Sequence, residues 1–268
     1  MSQDTGLFTC LEVIFCYTTY MTNENEDKSL DKTKGNLNVP ASKLPPATVH
    51  QHGDFRASFH WRVFRVMSEL VDGWQFLADF SDTKTVTFFG SARFQEGYRW
   101  YDEARKLGQL LAGIGFGVIT GGGPGIMEAG NRGMAEKNGK SIGLNIELQH
   151  EQRVNPWVKN GIGFHYFFTR KVMLSYAAQA YIYFPGGFGT LDEFFEIVTL
   201  IQTKKIAQHI PVICVGKEYW DPLLNWVDDQ VYGKFQAIDK EDEKIYQVVD
   251  TAEEAFEIIK NSPERKEF

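Results

Sequence analysis

From Pro185 to Glu193 the sequence reads PGGFGTLDE, directly after the uncharged run AYIYF. Such a run suits a strand buried on both faces, and the apolar spacing from Thr190 onward is that of a helix. Between them Gly186, Gly187 and Gly189 put no side chain in a ligand's way and reach backbone angles closed to other residues. The helix that follows turns its unpaired N–H groups and the positive end of its dipole into the turn, so the unit forms a cradle for an anion such as phosphate. Glu193 brings a carboxylate to within about a turn of this cradle, an odd neighbour for an anion unless it takes part in chemistry. A second role fits the same spacing: Thr190 and Glu193 stand as T-x-x-E, the pattern in which two side chains cap the first amides of a helix. Upstream, Arg170 and Lys171 open a helix over 169–179. Two cations at a helix start run against the dipole; they are either a solvated surface pair or they face an anion in the cradle to which the next strand leads.

These residues need a frame. Short apolar runs at 85–90, 116–120, 141–146, 163–168, 180–184, 210–215 and 245–249 read as strands. Helical spacing occupies 98–114, 126–137, 169–179, 190–203, 220–231 and 251–259. Strands alternating with helices of ten or so residues imply parallel pairing through right-handed crossovers, hence an α/β fold with a doubly wound parallel sheet and flanking helices. Ligands bind such sheets beyond the carboxyl ends of the strands, where the winding reverses. Three turns are candidates for that edge: 91–93, 121–125 and 186–190. The GGGPG turn at 121–125 follows the second strand and carries Pro124, so it suits a single phosphate, or a nucleotide lying across both glycine turns, better than a dinucleotide. No G-x-x-x-x-G-K-[ST] string is present, which excludes a P-loop. The stretch 147–161 lacks periodicity and is expected to cover a ligand. His165 and His209 stand alone and read as structural or surface residues.

Composition narrows the partners. With 268 residues, 43% of them apolar, the chain is long enough for a sizeable core. The 28 basic and 35 acidic residues leave a net charge of -7 without a basic stripe, which argues against nucleic acid polymers and anionic membranes. The three cysteines, Cys10, Cys16 and Cys214, show no C-x-x-C spacing, and the six histidines form no ligand pattern. Reduced thiols, a cytoplasmic setting and no metal or other cofactor are expected.

The first third of the chain is of a different kind. Residues 7–20 are apolar but too short to span a bilayer, contain Glu12 and follow Asp4 rather than basic residues. Met21 offers a second start, so residues 1–54 are expected to be a disordered or mis-annotated extension, and 22–53 are rich in polar residues and proline. From 55 to 80 an added amphipathic helix is expected, with Phe59, Val63, Val66, Met67, Leu70, Trp74 and Leu77 at helical spacing. It either packs on the sheet or lends part of its aromatic face to a subunit contact. Residues 55–268 are taken as one domain.

Four strings together, GSAR at 90–93, GGGPGIMEAGNRG at 121–133, FTRK at 168–171 and PGGFGTLDE at 185–193, resemble the LOG family over roughly residues 55–260. Its members, which include cytokinin-activating phosphoribohydrolases, were long labelled possible lysine decarboxylases. The resemblance implies a Rossmann-like domain that forms a homodimer or higher homo-oligomer. The implied activity is hydrolysis of the N-glycosidic bond of a nucleoside 5'-monophosphate to a free base and ribose 5-phosphate. Position by position, Arg170 and Glu193 match the catalytic arginine and glutamate. Lys171, Gly187, Gly189, Thr190 and Thr199 match ligand-contacting positions, with Ser91, Gly122, Gly123 and Gly186 as further phosphate or substrate contacts. Asp192 stands where plant-type members often carry a second glutamate. The helix at 55–80 and the run FHYFFTRK are closer to the longer bacterial branch, which brings AMP forward beside a cytokinin riboside 5'-monophosphate as substrate.

That chemistry agrees with the residues. Loss of a purine from C1' leaves positive charge on the ribose, which a carboxylate beside that carbon stabilises while it orients or deprotonates water. Arg170 has two open roles, clamping phosphate or helping the departing base accept a proton. The alternative is a nucleotide-binding or sensing protein of the same fold that does not cleave its ligand. Nothing in the sequence marks a pyridoxal phosphate site for a decarboxylase.

Overall fold

The computed structural model describes residues 59–147, 154–176 and 178–265. The expectations for residues 1–54, for a start at Met21 and for the first turn of the helix at 55–58 lie outside the described residues.

Seven parallel strands form one sheet in the order β4-β3-β2-β1-β5-β6-β7. The strands are β1 (Thr85–Phe89), β2 (Gly117–Thr120), β3 (Lys140–Ile146), β4 (Asn160–Phe164), β5 (Ala180–Tyr183), β6 (Val212–Val215) and β7 (Tyr246–Val249). Every residue of β1, β2, β5 and β6 is buried, which is why these segments carry no charge and do not alternate. From β1 the chain winds outward to β4, then returns to lay β5 on the other side of β1, with Val86 between Val118 and Ala180. The reversal between β1 and β5 parts the neighbouring connections and opens a crevice at the carboxyl edge.

Helices cover both faces. On one lie α1 (Phe59–Ala78), α4 (Phe167–Tyr176), α5 (Phe188–Gln202) and α6 (Lys217–Trp226), sharing a core with Leu77, Met173, Phe194, Ile197 and Trp220. On the other lie α2 (Arg99–Gly113), α3 (Ile126–Glu136) and α7 (Ala252–Lys260), around Trp100, Leu107, Leu111, Met134 and Ile259. The sheet is thus doubly wound and Rossmann-like, with α1 added ahead of it. A Cβ at Gly73 would stand 2.9 Å from Met173, so α1 reaches α4 only because that position is bare. Leu77 is buried, whereas Val63, Phe64, Met67, Val71 and Trp74 remain exposed. The helix is apolar on two sides and only one packs inward.

Three boundaries differ from expectation. β4 runs over Asn160–Phe164 rather than 163–168, and α4 begins at Phe167. This is an edge strand, exposed at Asn160, Gly161 and Gly163, so its burial pattern gives no continuous apolar run. α5 starts at Phe188, two residues before Thr190. α6 starts at Lys217 and continues as wider π-helical turns over Val227–Lys234.

Candidate active site

A cavity of about 1020 Å³ opens at the β1/β5 reversal. Ser91 after β1, Gly121 after β2 and the run Gly186–Leu191 after β5 all reach it, together with Arg170 from α4 and Glu193 from α5. Its volume is at the upper end of the range usual for small-molecule sites.

The cradle is built by the start of α5. Gly187 is the residue before the first helical turn, and no side chain caps the helix. The capping box that the T-x-x-E spacing also fits is therefore not formed: Thr190 is already inside the first turn and buried, and Glu193 lies beyond it. Free amides at an uncapped N-terminus, next to exposed Gly187 and Gly189, provide the donors and the positive field an anion needs. Gly186, Gly187 and Gly189 are not among the residues of positive φ. What they contribute is the missing side chain; at Gly186 a Cβ would press to 2.2 Å from the Thr190 hydroxyl. The turn is held from outside as well. The Tyr219 hydroxyl donates to the carbonyl of Gly186 at 2.8 Å, and the Ser91 amide donates to the carbonyl of Pro185 at 3.0 Å.

Glu193 and Arg170 meet in the cavity, with Nη2 of Arg170 3.8 Å from Oε1 of Glu193. Their side chains are 16% and 11% exposed respectively. Burial pushes the Glu193 carboxyl up from 4.5 to about 7, against the pull of Arg170 and Lys171. A carboxyl poised there exchanges a proton readily at neutral pH. Burial also lowers the affinity of Arg170 for its proton, which Glu193 partly offsets; a guanidinium nonetheless keeps its charge at neutral pH. Its Nε has no hydrogen-bond partner among the described residues, and its planar head lies 5.3 Å from the Phe167 ring. The arrangement is a cation with donors to spare, beside a proton-exchanging carboxyl, at the mouth of an anion cradle.

The cavity brings together Ser91, Arg170, Gly186, Gly187, Gly189, Thr190 and Glu193. Gly122, Gly123, Lys171 and Thr199 do not line it. Gly122 and Gly123 are buried, and their carbonyls accept from the amide and the side-chain Nδ2 of Asn155. Lys171 instead pairs with Asp192 at 2.7 Å and Glu196 at 3.3 Å. Thr199 is exposed, and its hydroxyl donates back to the carbonyl of Phe195. Of the expected covering stretch, 148–153 lie outside the described residues, and Asn155 packs down onto the Gly122 turn.

Three residues that sequence reasoning passed over shape the site. Tyr219 clamps the cradle, Asn155 closes the other glycine turn, and Glu69 of α1 caps α4. The Glu69 carboxylate accepts from the amides of His165 at 3.0 Å and Tyr166 at 3.2 Å, and from the Thr169 hydroxyl at 2.7 Å. One signal was present for Glu69: α4 carries two cations near its start and no acidic residue in its first turn, which favours a carboxylate from elsewhere. For Tyr219 and Asn155 the sequence offered no such cue.

A family model described as possible lysine decarboxylase matches residues 127–259. A probable cytokinin riboside 5'-monophosphate phosphoribohydrolase, LOGL5, of Oryza sativa subsp. japonica is 30% identical over 136 residues, 49% of this chain and 54% of that protein. The cytokinin riboside 5'-monophosphate phosphoribohydrolase LOG of the same plant is 28% identical over 161 residues, 58% of this chain and 64% of that one. The similarity thus spans little more than half the length of these two relatives. Among solved structures, that of TM1055, a structural genomics target, superposes with a TM-score of 0.51 at 25% identity, over 66% of this chain and 99% of the other. The family model, the relatives and the strings they share make this chain similar to the LOG family, described as possible lysine decarboxylase.

Proposed function

We propose that this protein hydrolyses the N-glycosidic bond of a purine nucleoside 5'-monophosphate, releasing the free base and ribose 5-phosphate. The reading rests on one juxtaposition above all: a buried carboxyl that titrates near neutral pH, one turn into the helix whose bare N-terminus receives the phosphate. Phosphate in the cradle anchors the 5' end, so binding energy remote from the reacting bond is converted into alignment of C1'. As the C1'–N bond breaks, its electron pair leaves with the base and positive charge grows on the ribose. Ionised Glu193 stabilises that charge and takes a proton from the water whose oxygen bonds to C1'; a proton then passes to the departed base, which leaves neutral, and the carboxylate is restored. Arg170 keeps a fixed positive charge beside Glu193, so that the carboxyl can ionise in a buried site.

Met127 of α3, Ile146 of β3, and Phe167 and Leu174 of α4 line the cavity, an apolar wall that suits a purine with or without an apolar N6 substituent. AMP and a cytokinin riboside 5'-monophosphate are therefore the substrates to compare, the second being the class in the names of the rice relatives. Purified protein incubated with AMP or isopentenyladenosine 5'-monophosphate is expected to release free base. Tight binding of both without release would make the protein a nucleotide holder instead. The exposed stripe of Phe64, Met67, Val71 and Trp74 on α1 supports a homodimer in which two copies of this helix meet, since such a row recurs on one side of a helix and is self-complementary about a two-fold axis. Sedimentation as a monomer at micromolar concentration would overturn that assignment.

A further inference from the structure

We infer that Glu69, on the helix added ahead of the sheet, is a positioning residue that fixes the first turn of α4 and thereby sets where Arg170 meets Glu193. The inference rests on the reading of that pair as the reacting groups. A helix start leaves amides without intrahelical partners, and α4 has no acidic residue of its own in the first turn. Arg170 and Lys171, close behind, oppose the dipole. From almost a hundred residues upstream Glu69 sets a negative charge ahead of that start, bonds the amides of His165 and Tyr166 just before the helix, and reaches into its first turn through the Thr169 hydroxyl.

Its carboxylate spans the turn, with one oxygen on the His165 amide and the other shared by the Tyr166 amide and the Thr169 hydroxyl. The side chain is 12% exposed, and Arg65 stands 3.8 Å away on the same helix. The path to the site is short: the Arg170 amide donates to the carbonyl of Tyr166 at 3.3 Å, and Tyr166 is the residue Glu69 holds. Carboxylate–amide bonds of this kind are short and strong. α1 is itself fixed, through Leu77 in the core and the close approach of Gly73 to Met173. An element outside the sheet thus supplies the reference point for a side chain inside the cavity.

The consequence is electrostatic and can be read without turnover. Glu193 is faced by Arg170 and Lys171 from α4 and by Asp192 and Glu196 on its own helix. Glu69 is faced by Arg65 and by the His165–Thr169 turn. If the turn loosens, Arg170 moves away from Glu193 and the carboxyl holds its proton to higher pH.

The test is a 13C NMR titration of the Glu193 carboxyl in the full chain, for the wild type, Glu69→Ala, Glu69→Gln and, as reference, Arg170→Ala. Glu69→Ala is expected to raise the midpoint by roughly 1, the size of effect a neighbouring opposite charge has on a carboxyl, in the same direction as Arg170→Ala. Glu69→Gln keeps an acceptor and is expected to fall between the two. In turnover of AMP, Glu69→Ala is expected to lower kcat by about tenfold or more with a smaller change in KM. A folded Glu69→Ala protein with an unmoved Glu193 midpoint overturns the inference. Should that variant not fold, Thr169→Val removes the hydroxyl that faces both Glu69 at 2.7 Å and the Tyr166 carbonyl at 2.8 Å, and an unmoved midpoint even then overturns the inference. Absence of hydrolysis by the wild type would refute the proposed function, while the titration would still decide the role of Glu69.

Discussion

Two glycine-rich turns follow buried strands at the same edge of the sheet, and they are opposites. Past Gly121, which still reaches the cavity, the turn Gly122–Gly125 after β2 closes over its own backbone. Asn131 accepts from Thr120 at 2.7 Å and donates to Ser141 at 2.9 Å, and Asn155 bridges Gly123 and Asn131, each at 3.0 Å. Gly122 donates to Thr120 at 2.9 Å. Only Oδ1 of Asn145, packed beside Gly122, is a buried side-chain acceptor at this turn without a hydrogen-bond partner among the described residues. At Gly186–Thr190, after β5, the start of the helix is left uncapped and Gly187 and Gly189 face the cavity. Glycine content alone does not distinguish them. One turn needs its glycines so that the protein can pack against itself, the other so that something else can pack against the protein.

The largest expected effect lies where the open turn meets the reacting pair. Glu193→Gln keeps the shape and removes the proton acceptor, and is expected to reduce kcat for nucleotide hydrolysis by about 10²–10⁴, with nucleotide affinity largely retained. Steady-state kinetics with AMP, together with calorimetric titration of the nucleotide, check both halves. A variant with near wild-type kcat would remove Glu193 from the chemistry.

Alanine at one glycine of each turn separates their roles. At Gly122, where φ is 69°, a Cβ would stand 1.7 Å from Oδ1 of Asn145, so Gly122→Ala is expected to cost about 2–5 kcal/mol of stability from backbone strain and overpacking. At Gly189, inside the first turn of α5, a Cβ meets nothing within 4 Å. Gly189→Ala is therefore expected to be neutral or to stabilise the fold by up to about 1 kcal/mol, while weakening nucleotide binding by filling the cradle. Denaturant melts paired with AMP titrations read both, and equal losses of stability would erase the distinction.

Much of the frame was legible in the sequence, because buried parallel strands must be apolar and uncharged: TVTFF, AYIY and VICV have no other place to go. The start of α5 lies two residues ahead of the apolar spacing because Gly189 is a poor helix former and Phe188, 92% exposed, adds nothing to the buried face. The strings around Arg170 and Glu193 marked both residues, but their separation depends on how α4 and α5 pack. Whether a glycine turn is open or sealed was not legible, since the residues that seal it, Asn131 and Asn155, sit up to 33 positions from Gly122. For Glu69, about a hundred residues from the turn it holds, the sequence shows only a helix start without an acidic residue of its own; a contact of that span does not say which carboxylate answers it.

Acidity sharpens the contrast further, because the open turn contains a titrating group. The Glu193 carboxyl, raised from 4.5 to about 7, must ionise to act as base, so kcat is expected to climb about tenfold per pH step below 7 and level off above it. Stability runs the other way. A carboxyl with a raised folded-state pKa binds its proton more tightly when folded, so the fold loses stability as pH rises from about 4.5 to about 7, and the loss persists above that. Replacing Glu193 with Gln is expected to abolish this segment of the stability–pH curve. Melting temperatures of the two proteins from pH 4 to 8 test it, and parallel curves would mean that the carboxyl is not perturbed.

The smallest expected effect tests what keeps the open turn in shape. The sealed turn is held by several side chains, whereas the cradle carbonyl of Gly186 is held by the single hydroxyl of Tyr219. Removing it with Tyr219→Phe deletes one partly buried hydrogen bond, worth about 1 kcal/mol, without touching the ring. If that bond only supports the fold, the loss appears in the melting temperature and KM stays put. If it fixes the amides that meet the phosphate, KM for the nucleotide rises roughly fivefold with kcat nearly unchanged, because phosphate is held equally in ground and transition states. The second outcome is expected: the hydroxyl bonds to the residue immediately before the N-cap, where a small rotation turns the amides of Gly187 and Phe188 away from the cavity.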